Sequence, residues 1–183
     1  MDNQQELLLA PTHSDLVNSL ADHLRGPRRM VWTEKVVYNN LAFNAGTTIP
    51  DVFTIQTDYG KPLPSVYEVK ASRSDFRQDV RSEKWRKYLP YTARFYFVTG
   101  PDVVTETAEI PDDAGWMRFD PDRGWIVARG APNRRYEFNQ YVLLSLLFAG
   151  DCKSWSALKF DNESLRLRVK SLEGRLKAKG QPT

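Results

Sequence analysis

Cysteine is nearly absent: Cys152 stands alone among 183 residues. That excludes an internal disulfide, a CxxC redox pair and a cysteine zinc site. Histidine is almost as scarce. His13 and His23 both fall in the N-terminal segment, with nothing nearby to make either a ligand, and both read as surface residues of a helix. A Ser-His-Asp triad, a histidine general base and a histidine metal ligand are therefore unsupported. Neither GxxxxGK[ST] nor GxGxxG occurs, so no phosphate-cradling loop is expected. The longest apolar run, Tyr141 to Ala149, falls far short of the ~20 residues that span a bilayer. No basic start followed by an apolar segment marks a signal peptide, and the expected setting is the cytoplasm, away from membranes. Charge of one sign is also in short supply. A net charge of +3 permits a polyanionic partner without demanding one.

What is present suits one domain with a proper core, at 41% hydrophobic and 27% charged residues. Residues 1–11 read as a loose arm, 12–150 as the domain and 151–183 as a helical tail. Thr12 and Asp15 form a capping box, and Leu16, Leu20 and Leu24 mark one buried stripe of the helix that follows. Gly26-Pro27 ends it, and Met30 to Tyr38 reads as the first strand. Ser72 to Asp75 opens a second helix running to about Leu89, closed by Pro90. RFYFVT, Arg94 to Thr99, suits a central strand. Val103 to Ile110 fits either a short helix or an extended segment. Trp116 to Phe119 and Trp125 to Arg129 flank a strong turn signal and form a hairpin. Trp116 and Trp125 suit core packing, or stacking on unpaired bases. Tyr136 to Phe148 reads as a buried helix. Beyond it Leu165, Val169, Leu172 and Leu176 show heptad spacing over about two heptads, enough to pair with a second copy in a homodimer or to pack back on the domain.

The chemistry gathers between Ile49 and Ala71, IPDVFTIQTDYGKPLPSVYEVKA. Two apolar runs, Val52 to Gln56 and Val66 to Ala71, flank a turn-rich segment, Asp58 to Ser65, and predict two strands joined by a loop. Strand side chains alternate, so Glu68 and Lys70 leave one face while Tyr67, Val69 and Ala71 leave the other. If the strands pair, Asp51 lies near that charged face. Two carboxylates and an ammonium then meet at the edge of an apolar sheet, where burying unpaired charge is costly. A divalent cation supplies a reason for the arrangement.

Pro50-Asp51 followed by Glu68-Val69-Lys70 resembles the signature of the PD-(D/E)XK nuclease superfamily. The sequel of Ser72, Asp75-Phe76, Asp79, Lys84-Trp85, Tyr88 and Tyr91, then Phe95 to Val98 and Glu109 to Trp116, is similar to its MmcB-like branch, small DNA-repair nucleases of bacteria and phages. The resemblance covers roughly residues 16–135. It implies an α/β, restriction-endonuclease-like core, a mixed central sheet flanked by helices, with a C-terminal helical extension. It also implies a metal-dependent deoxyribonuclease, of endonuclease type, that hydrolyses phosphodiester bonds in DNA repair or phage DNA processing. Asp51, Glu68 and the Val69 carbonyl would hold Mg²⁺ or Mn²⁺, and Lys70 would act on the water or the transition-state charge. Glu34 sits where such nucleases add an acidic residue, and is otherwise a solvated residue of an edge strand. On the second helix Arg73, Arg77, Arg81 and Lys84 fall on one arc, with Asp75, Asp79 and Glu83 roughly opposite. The basic row suits either phosphates leading to the metal site or open solvent. A different class also fits the same fold: a binding module for nucleic acid or protein without turnover.

Overall fold

The computed structural model describes residues 11–35, 37–38, 47–58, 61–137 and 140–149. The expected C-terminal helix and its heptad stripe lie outside these residues. Six strands form one mixed sheet in the order β1-β4-β5-β6-β7-β8: Arg29–Thr33, Val52–Asp58, Lys61–Lys70, Arg94–Thr99, Gly115–Asp120 and Gly124–Arg129. β5, β6 and β7 run parallel, and the remaining neighbours pair antiparallel. Val37–Tyr38 (β2) and Thr47–Thr48 (β3) pair separately.

Strand alternation sorts the core into two layers. Phe53, Ile55, Val66, Phe95 and Phe97 pack on one face with Phe76, Trp85, Tyr88 and Tyr91. Val52, Tyr67, Val69, Tyr96 and Val98 pack on the other against Leu16, Leu20 and Leu24 of α1, His13–Leu24. α2, Arg73–Ser82, brings Phe76 to the first face, as does α3, Gln140–Ala149, with Val142 and Leu146.

Several expected boundaries are corrected. The first strand stops at Thr33, because Glu34 adopts a left-handed backbone (φ 48°) that no strand continues through. The second strand starts at Lys61, so Pro62 and Pro64, expected in a loop, are inside it. Their carbonyls accept from the Tyr136 hydroxyl and the Ala93 N–H, so their amide edges turn away from β4. A missing N–H there costs the β4 ladder nothing. The second helix breaks at Glu83, again left-handed (φ 53°). Residues Lys84–Tyr91 continue as a 3₁₀ helix that contains Pro90 instead of ending before it. Its three residues per turn stack Trp85, Tyr88 and Tyr91, spaced by three, on one buried side. The last described helix begins at Gln140, four residues later than expected.

Candidate active site at the edge of the central sheet

The β4–β5 register ends with Val52 opposite Tyr67, which carries Asp51 past the last pair and beside Glu68 and Val69. There the Asp51 carboxylate replaces a strand: its Oδ2 accepts the Val69 N–H at 2.6 Å. A strand residue turns its N–H and carbonyl to the same edge, so the Val69 carbonyl also lies on the Asp51 side. Glu68 and Lys70 leave the aromatic face together, with Nζ 3.5 Å from Glu68 Oε1. α2 folds back over them at once. Ser72 caps it by accepting the Asp75 N–H, but Asp75 does not return the bond that completes a capping box. Its carboxylate lies 3.7 Å from Lys70 Nζ, and Asp79, one turn later, lies 3.0 Å away.

Burial sets the electrostatics. The side chains of Lys70, Glu68, Asp79 and Asp51 are 8%, 14%, 14% and 17% exposed. Desolvation, reinforced by neighbouring Asp51, pushes the Glu68 carboxyl up to about 7, against the pull of Lys70. Asp51 is also raised by burial, with the Val69 N–H, His13 and Lys70 acting in the opposite sense. Burial alone would lower the Lys70 ammonium, yet Glu68, Asp79 and Asp75 together outweigh it and hold it above its ordinary value. Lys70 is therefore a charged donor at neutral pH. Glu68 Oε2 is buried and has no hydrogen-bond partner among the described residues. Tyr88, whose hydroxyl donates to the Ile49 carbonyl at 3.2 Å, is raised by burial and by nearby Glu68.

The donor set fits a hard divalent cation. Two carboxylates and a backbone carbonyl share one edge, and a buried carboxylate oxygen left unpaired is the atom a cation would satisfy. No three His, Cys, Asp or Glu side chains form a ready-made cage among the described residues. Water would complete the sphere, as Mg²⁺ prefers.

Asp51, Glu68, Val69 and Lys70 are thus brought together. Glu34 is joined to the site through its backbone, its N–H donating to the Asp51 carbonyl at 3.0 Å, while its side chain is exposed. The basic row is not gathered there. Arg73 is tied to Glu109 at 2.7 Å and to the Val103 carbonyl at 3.3 Å. Arg77 and Arg81 are exposed on the side of α2 opposite Asp75 and Asp79, and Lys84 lies beyond the helix break. Trp116, in the core, donates to Thr99, and half-buried Trp125, packed against the second layer, donates to Ser19.

Sequence reasoning missed two partners. His13 was expected at the surface without a role, yet its Nε2 lies 3.4 Å from Asp51 Oδ2. Only the antiparallel return of β4 beneath the start of α1 joins them, and no local pattern announces it. Asp79 had a signal: a helix start capped by Ser72 places residues 75 and 79 on one helix face directly after Lys70.

Residues 24–153 match the model of a family described as DNA repair protein MmcB-like. A search of curated proteins finds no match. Among solved structures, the chain is similar to the SPO1766 protein of unknown function from Silicibacter pomeroyi. The two share 22% identity at a TM-score of 0.51, over 96% of this chain and 98% of that one. At that identity the likeness speaks to the fold alone.

Proposed function

Because this chain belongs to the MmcB-like family of DNA repair proteins, we propose that it is a metal-dependent nuclease of PD-(D/E)XK type, built on a restriction-endonuclease-like core and acting on DNA. One observation carries the reading. Glu68 is buried beside Asp51 with an oxygen, Oε2, that has no hydrogen-bond partner among the described residues, an arrangement that costs free energy until a cation arrives.

In this reading Asp51, Glu68 and the Val69 carbonyl hold Mg²⁺ or Mn²⁺. Such an ion, when bound, lowers the pKa of coordinated water and offsets phosphate charge. The chain's own residues do the rest. The Val69 N–H holds Asp51 in place, and the aromatic layer under Glu68 excludes water from its inner side. Lys70 keeps its proton because Asp79 and Glu68 hold it, and it offers that charge to the phosphate as negative charge grows in the transition state. Arg77 and Arg81, exposed on the outer side of α2, contact DNA phosphates away from the scissile one.

The test is cleavage of supercoiled plasmid, single strands and branched DNA in Mg²⁺, Mn²⁺ or EDTA. Cleavage should require the metal, vanish in Asp51→Asn, and fall at least ~100-fold in Lys70→Ala, as loss of one transition-state charge partner does. Full activity of Asp51→Asn in Mg²⁺ would refute the assignment. The ring of three carboxylates about Lys70 favours a second reading, a closed ion cluster in a DNA-binding module without turnover. Metal-independent binding without cleavage of any substrate would select it.

A further inference from the structure

We infer that His13 is a positioning residue for this site: its imidazole fixes the Asp51 carboxylate so that one oxygen is committed to the protein and the other is presented to the cation. The inference rests on the metal-binding role proposed for Asp51. The two closest contacts to the Asp51 carboxylate converge on a single atom. Oδ2 takes the Val69 N–H at 2.6 Å and lies 3.4 Å from His13 Nε2, while Oδ1 takes no hydrogen bond from the described residues. The carboxylate is thus divided by function. Held by the Val69 N–H alone, it could still swing about that one bond; a second donor from another element removes that freedom.

α1 is built to deliver that donor. His13 is its first residue, directly after the Thr12 cap. The Thr12 hydroxyl accepts the Asp15 N–H at 3.2 Å and the Asp15 carboxylate accepts the Thr12 N–H at 3.0 Å, closing a full capping box. Leu16, Leu20 and Leu24 are at most 4% exposed against the sheet, so the helix start cannot drift from β4 and β5. His13 itself is 41% exposed and belongs to neither core cluster. Shortening it leaves no buried cavity, and its loss should register at Asp51 rather than in the fold. Donors that orient a ligand carboxylate typically contribute 10- to 100-fold in metal affinity.

The experiment is equilibrium Mn²⁺ binding to the full chain, with free Mn²⁺ followed by electron paramagnetic resonance and thermal unfolding recorded alongside. His13→Ala should weaken binding by about 10- to 100-fold while shifting the melting temperature little. His13→Met, of similar reach but without an N–H, should behave the same way. His13→Gln, whose amide nitrogen reaches as far as Nε2, should restore most of the affinity. In an Asp51→Asn background His13→Ala should have no further effect. Unchanged affinity in His13→Ala or His13→Met overturns the inference and leaves the nuclease reading standing. So does a His13→Gln protein as weak as the other two. A wild-type chain that binds no Mn²⁺ removes both.

Discussion

Glu68 is the residue at which fold and function pull apart. Its carboxyl is displaced from 4.5 to about 7, mainly by burial, so the native chain holds this proton more tightly than the unfolded chain does. The linked stability is fully present below about pH 4.5 and is lost as pH rises through about 7. At about 1.4 kcal/mol per pH unit the loss is of order 3 kcal/mol. Urea unfolding at intervals from pH 4 to 8 should show the wild type falling against Glu68→Gln by that order. Mg²⁺ at pH 8 should restore the wild type and not the variant, because the cation binds the ionised form. Parallel pH profiles for the two proteins would contradict the reading. The motif residues were legible in the sequence because alternation alone places Glu68 and Lys70 on one face. The displaced pKa was not, since it arises from burial and from the nearness of Asp51, which only folding brings about.

α2 is the element that turns a strand motif into a site. The capping residue Ser72 starts the helix two positions after Lys70, so Asp75 and Asp79 arrive over the ammonium from the first two turns. Asp79→Asn removes the nearest carboxylate from a lysine 8% exposed, while Glu68 and Asp75 remain. The expected destabilisation is about 1–3 kcal/mol, below the cost of stranding a fully unpaired buried charge, and urea unfolding at pH 7 measures it. No change, or greater stability, would mean that Asp79 holds Lys70 in name only. The helix also shows where sequence periodicity runs out. Its basic and acidic arcs were readable at 100° per residue, but the count assumed an unbroken helix through Leu89. Glu83 turns left-handed and the aromatics at 85, 88 and 91 impose a period of three, so Lys84 no longer belongs to the row. Which arc faced the site was decided by Phe76, buried on the same side as Asp79.

On the scale of the whole molecule, the sheet separates two tasks. Its aromatic layer carries Glu68 and Lys70, its other layer anchors α1, and the two meet at Asp51. Arg77 and Arg81 are exposed on the outer side of α2, the face that the proposed function assigns to DNA. Replacing both by alanine should weaken DNA binding about equally for all sequences and reduce the salt slope by about 1 for each phosphate that is no longer neutralised. An unchanged slope would place the DNA on another face. Individual strands and helix starts followed from alternation and cap signals in the sequence, whereas the mixed sheet flanked by helices was implied by the resemblance to a known family. The approach of His13 to Asp51 followed from neither, because it joins residues brought together only by the crossing of α1 over the sheet.

The central claim is that Asp51 and Glu68 grip a cation, and crystals of the protein soaked in Mn²⁺ test it most directly. The expected result is an anomalous-scattering peak between the two carboxylates at about 2.0–2.3 Å, with the Val69 carbonyl among its ligands. Carboxylates turned away from each other, with the manganese elsewhere or nowhere, would contradict it.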